Sequence, residues 1–126
     1  MKKLSLFLLM LPFLFSACSS GLKLAANQTG STHEVSVGDF IDIELSSNPS
    51  TGYQWKLDGT LTTGPVRLIS NNFKASPSSE GMVGVGGTEY WRFQAVESGT
   101  ADVKLLYKRE FEQEAVNTVT YKINVK

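Results

Sequence analysis

For nucleophilic or general-base chemistry at neutral pH, this sequence offers one cysteine, Cys18, and one histidine, His33. Cys18 closes an apolar leader and reads as a site of modification, so no Cys–His pair is available and no Ser–His–Asp set is expected. His33 reads as a surface residue, and no cluster has zinc-ligand spacing. The chain is therefore not expected to be an enzyme or to need a cofactor or metal. The residues that stand out are suited to touching another protein. In Asn48-Pro49-Ser50-Thr51-Gly52-Tyr53, Pro49 fixes its own φ and pushes Asn48 towards an extended conformation. Gly52 permits a turn that a β-carbon resists. The product is a short, stiff loop with hydroxyls at its tip. Two further stretches share this character: Gly84-Val85-Gly86-Gly87, whose glycines allow close backbone approach, and Arg109-Glu110-Phe111, which sets an aromatic anchor beside a guanidinium. The glycine-rich stretch lacks the GK[ST] ending of a phosphate loop. A β-branched residue at Gly86 is expected to interfere through positive φ and bulk.

These three stretches need a scaffold, and period-two alternation supplies one. Strands are expected over residues 34–37, 40–45, 53–57, 89–96, 101–107 and 118–125, with weaker candidates at 66–70 and 73–75 and a bulge or bend at Asn71-Asn72 between them. Ile41, Ile43 and Leu45 share one face, as do Trp91 and Phe93, and as do Val119, Tyr121, Ile123 and Val125. Trp55 and Trp91 read as core. Residues 76–87 form a loop long enough to be functional in so small a domain, and residues 108–117 form a charged hairpin loop around Phe111. No segment after the leader carries a helical period, and no internal repeat is visible. About seven short strands between turns predict an all-β, immunoglobulin-like sandwich, with no disulfide because there is one cysteine.

Twelve basic and twelve acidic residues give zero formal charge, so nothing suggests nucleic acid as a partner. Lys2 and Lys3 precede a nearly unbroken apolar run from Leu4 to Phe15, and Ser16-Ala17-Cys18 follows. This is the pattern of a secretory signal, with a run too short for an ordinary spanning helix of roughly 20 residues. Phe15-Ser16-Ala17-Cys18 resembles the bacterial lipobox, with Phe15 where Leu is usual. The resemblance implies a signal peptide over 1–17, lipid on Cys18, and a location in the bacterial envelope, facing the periplasm or the cell surface. Lipidation would also remove a lone thiol from an oxidising compartment. Residues 18–32 read as a polar tether, and 33–126 as the folded domain. The formal sequon at Asn27 is taken as chance.

The three loop motifs together resemble the chagasin family of cysteine protease inhibitors. Asn48-Pro49-Ser50-Thr51-Gly52-Tyr53 is similar to that family's NPTTGY motif, with Ser50 for a Thr. Gly84-Val85-Gly86-Gly87 matches its GxGG motif, and Tyr90-Trp91 follows at the expected remove. Arg109-Glu110-Phe111 stands where the family carries RPW or RPF, with Glu110 for the Pro. The resemblance implies that all three loops gather at one end of a sandwich and enter the cleft of a papain-like cysteine protease. Ser50 and Thr51 would lie by the nucleophile, Gly84 to Gly87 along one side, and Arg109 and Phe111 on the other. Glu110 removes a φ restraint, so the third loop is expected to be more mobile and to differ in target preference. A monomer is expected. The competing reading is an envelope or surface immunoglobulin-like module that binds protein or carbohydrate through its loops.

Overall fold

Strands whose side chains alternate between apolar and polar bury one face each, and two such sheets stack to enclose a core. The computed structural model describes residues 21–59, 61, 64–77 and 86–126, and their strands follow this rule. The eight strands are β1 (Leu22–Ala25), β2 (Thr32–Val35), β3 (Phe40–Ser47), β4 (Tyr53–Leu57), β5 (Val66–Ala75), β6 (Gly87–Ala95), β7 (Gly99–Arg109) and β8 (Asn117–Val125). One sheet has the order β1-β3-β6-β5 and the other β2-β8-β7-β4. All neighbours are antiparallel except β1 on β3 and β2 on β8. The fold is an immunoglobulin-like β-sandwich.

The positions expected to point inward do so. Ile41, Ile43, Leu45, Trp91 and Phe93 of one sheet meet Trp55, Val103, Leu105, Val119, Tyr121, Ile123 and Val125 of the other, all buried. Burying each such side chain contributes roughly 1.5–3 kcal/mol, which is how the core is held without a cross-link.

Three expectations need correction. Residues 18–32 are not a tether throughout. Leu22–Ala25 is a strand whose Leu24 is 2% exposed, a single 3₁₀ turn spans Ala26–Gln28, and Thr32 already belongs to β2. The buried Tyr121 hydroxyl donates to the Ala25 carbonyl at 2.6 Å, fixing this segment to the far sheet. The two weak candidates at 66–70 and 73–75 are one strand, β5, whose register shifts between Leu68 and Ser70 and not at Asn71-Asn72. The charged hairpin loop is shorter than 108–117, because Lys108 and Arg109 still pair with Gln54 and Tyr53. The leader, Cys18, Gly84 and Val85 lie outside the described residues.

Candidate functional site

Strand direction alone collects the candidate loops. β3, β5 and β7 run towards one end of the sandwich, and β4, β6 and β8 start from it. Ser47 at the end of β3 and Ala75 at the end of β5 both pair with Gly87 at the start of β6. Tyr53 at the start of β4 pairs with Arg109 at the end of β7. The described residues of the three motifs therefore share one rim.

The first loop is a single 3₁₀ turn over Pro49–Thr51. Asn48 is extended, with φ −131° and ψ 85°, as a residue before proline should be. Gly52 sits at φ 85°, where only glycine is unstrained, and its N–H closes the turn on the Pro49 carbonyl at 2.9 Å. The tip hydroxyls turn back into the loop. Ser50 Oγ donates to Asn48 Oδ1 at 2.6 Å and Thr51 Oγ1 donates to the Asn48 carbonyl at 2.6 Å. That carbonyl also accepts the Thr51 N–H at 3.1 Å.

Beneath the loop, aromatic and carboxylate groups brace it. Asn48 N–H donates to Tyr107 Oη at 3.0 Å, and the indole N–H of Trp55 donates to the Ser46 carbonyl at 3.0 Å. Tyr107 lies between the rings of Tyr53 and Trp55, with centroids 5.5 and 5.0 Å away. Glu89, 7% exposed, accepts the backbone N–H of Trp55 at 3.1 Å and so links β6 to the edge of the other sheet. Sequence reasoning did not single out Glu89. The available signal was a carboxylate at an inward position of the Glu89, Trp91, Phe93 alternation.

Gly86 of the second motif packs on the first loop. A β-carbon there would lie 2.5 Å from the Ser47 carbonyl and 3.3 Å from Asn48 Cβ. Glycine is needed because two segments of this chain touch. At Gly87 a β-carbon would meet the Lys74 carbonyl, so that glycine serves the β5–β6 pairing. Beside this contact lies an open groove of about 600 Å³, lined by Ser47, Asn48, Lys74, Gly86 and Tyr107 among others. The rim is thus notched rather than flat.

The third motif also reaches the first. Arg109 Nε donates to the Thr51 carbonyl at 3.2 Å, and its guanidinium lies 4.5 Å from the centroid of the Tyr53 ring. Glu112 holds the same guanidinium from the other side at 3.6 Å. The turn over Arg109–Glu112 closes through the Glu112 N–H to the Arg109 carbonyl at 3.2 Å. That hydrogen bond and ion pair close the turn with Glu110 in place of a proline. Glu110 is exposed, and Phe111 is 81% exposed, the most exposed large apolar side chain among the described residues.

Ser50, Gly86 and Phe111 therefore lie at one end, and Arg109 and Gly86 tie the outer loops to the central one. Among the described residues no group of three or more His, Cys, Asp or Glu could hold a metal ion.

Residues 34–125 match the sequence pattern of the Chagasin family peptidase inhibitor I42. Chagasin of Trypanosoma cruzi is 33% identical over 88 residues, covering 69% of this chain and 80% of its own. The solved structure of the cysteine protease inhibitor EhICP2 from Entamoeba histolytica superposes with a TM-score of 0.74 at 30% identity, over 84% of this chain and 96% of that one. PbICP-C, solved in complex with falcipain-2, matches with a TM-score of 0.51 at 28% identity, over 84% of this chain and 98% of its own.

Proposed function

The chain belongs to the chagasin family of peptidase inhibitors and inhibits papain-like cysteine proteases, and we propose that it does so by seating its braced three-loop rim in the enzyme's cleft. The observation that carries this reading is the pair of contacts, Gly86 on Ser47 and Asn48, and Arg109 on Thr51, that braces the first loop from its two neighbours. Loops ordered before docking lose less entropy on binding. In this reading Asn48 to Tyr53 face the catalytic thiol, Gly84 to Gly87 flank it on one side, and Glu110 and Phe111 flank it on the other. Phe111 is the apolar anchor, since an exposed aromatic gains most from being covered. Arg109 acts mainly by holding the first loop.

Resistance to cleavage follows from the turn itself. Acyl transfer needs a peptide carbonyl placed for attack and its oxygen in a hole of hydrogen-bond donors. The carbonyls of Asn48, Pro49 and Thr51 are already held by Thr51, Gly52 and Arg109. An enzyme can capture them only by breaking bonds that hold the loop. The test is inhibition of papain by the mature chain. Reversible, stoichiometric inhibition with the inhibitor recovered intact supports the mechanism, and progressive cleavage within 48–52 refutes it.

The leader and Cys18 support a second part of the proposal: signal removal over 1–17, lipid on Cys18, and a monomer anchored in the bacterial envelope. Two or more acyl chains give stable anchoring. Mass spectrometry of the native mature N-terminus reads this directly, and an unmodified Cys18 refutes it.

A further inference from the structure

If Cys18 carries the anchor, the length of chain between it and the folded body decides how the inhibitor stands on the membrane. Only Ser19, Ser20 and Gly21 separate Cys18 from β1. β1 is fixed in place. It pairs with β3 from Leu22 against Ile41 to Ala25 against Glu44, buries Leu24, and receives the Tyr121 hydrogen bond at Ala25. Four virtual bonds from Cys18 to Leu22 span at most about 14 Å. A flexible tether reaching to residue 32 would instead have had a root-mean-square span of roughly 20 Å and no fixed exit direction.

The exit direction follows from the register. β1 is parallel to β3, and β3 ends at the rim with Ser47. Leu22 lies beside Ile41, at the start of β3, so the chain enters at the pole away from the loops. From Ile41 to Ser47, at about 3.4 Å per residue, the rim stands roughly 20 Å further out.

We infer that the anchored domain stands on a short stalk with its inhibitory rim facing away from the bilayer, and that its partner is a soluble protease arriving from the aqueous side. A protease held close to the same bilayer with its cleft facing outward could not receive the rim. This inference rests on the lipid-anchor reading above.

The test uses the acylated full-length protein in phosphatidylethanolamine–phosphatidylglycerol vesicles that carry a short-range headgroup quencher. Acylation of Cys18 leaves an introduced cysteine as the reactive thiol. One fluorophore is placed by Ser98→Cys, in the exposed turn between β6 and β7 at the entry pole. The other is placed by Glu114→Cys, exposed in the third loop. The expected result is strong quenching at residue 98 and at least severalfold weaker quenching at residue 114. Equal quenching on protein shown by mass to be acylated refutes the fixed orientation alone. An unmodified Cys18 refutes the anchor, and the orientation with it. In a second measurement, papain added in solution is inhibited equally by vesicle-bound and detergent-solubilised protein. A loss of tenfold or more on vesicles overturns the outward-facing rim.

Discussion

Replacing Arg109 with alanine should weaken inhibition through the first loop, although Arg109 belongs to the third. The substitution removes the hydrogen bond to the Thr51 carbonyl, the stacking on Tyr53 and the ion pair with Glu112. At a half-exposed site the stacking is worth about 0.5–1 kcal/mol and the ion pair about 0–1. The hydrogen bond adds about 1. The ion pair lies within the third loop, so about 1.5–2 kcal/mol of support for the first loop is lost. If the loop then occupies its binding form a tenth of the time or less, apparent affinity falls by that fraction, roughly 10–30-fold. The loss should be largely in the association rate, because the competent conformer has become rare. Stopped-flow binding to papain separates the two rates. Tyr53→Leu removes the partner of the stack, so the double variant should fall short of additivity by about 0.5–1 kcal/mol. Thr51's carbonyl is also released, so Arg109→Ala should be cut slowly within the first loop where the parent is not. An unchanged association rate, with the whole loss in dissociation and strict additivity with Tyr53→Leu, would mean that Arg109 acts by touching the enzyme.

Phe111→Ala should raise the inhibition constant at least tenfold and leave the melting temperature within about 1 °C, since its side chain is 81% exposed; equal inhibition would remove it from the site. Gly86→Ala forces a β-carbon against the Ser47 carbonyl. Such overpacking costs about 1–3 kcal/mol, so thermal melting should fall by at least about 4 °C together with inhibition; an unaffected variant would mean that the two loops do not touch. Asp42 is held below the ordinary carboxylate value of 3.8 chiefly by its hydrogen bond from Arg92, with burial opposing. A carboxylate with a lowered folded value stabilises the fold above pH 3.8 and ceases to do so as pH falls through the folded value. Asp42→Asn should therefore melt lower than the parent at pH 7, and the gap should close below that range in a pH series of melting curves; a gap independent of pH refutes the pairing.

The strands were legible because alternation is local. Ile41, Ile43 and Leu45, or Val119 to Val125, reveal their buried face within a few residues. The rim was legible through the resemblance of three loop motifs to one family, and the observed strand order places their described residues at one end. What escaped depends on contacts distant in sequence. Leu22–Ala25 has too few residues to announce a strand, and is one only because β3 and Tyr121 hold it. The bulge in β5 fell near Ile69 rather than at Asn71-Asn72, because pairing with β6 decides register and local turn propensity does not. The contacts of Arg109 with Thr51 and Tyr53 also escaped, since they appear only when β4 and β7 pair. The close approach that requires Gly86 is likewise made by a loop far away in the chain.

In the proposed complex one braced rim covers the enzyme's nucleophile without becoming its substrate. Iodoacetamide alkylation of papain's catalytic thiol in a stoichiometric complex tests it most directly. The thiol should stay protected for as long as the complex lasts, with the chain from Asn48 to Tyr53 recovered uncut. Alkylation at the rate of the free enzyme, or a nick in that loop, would contradict it.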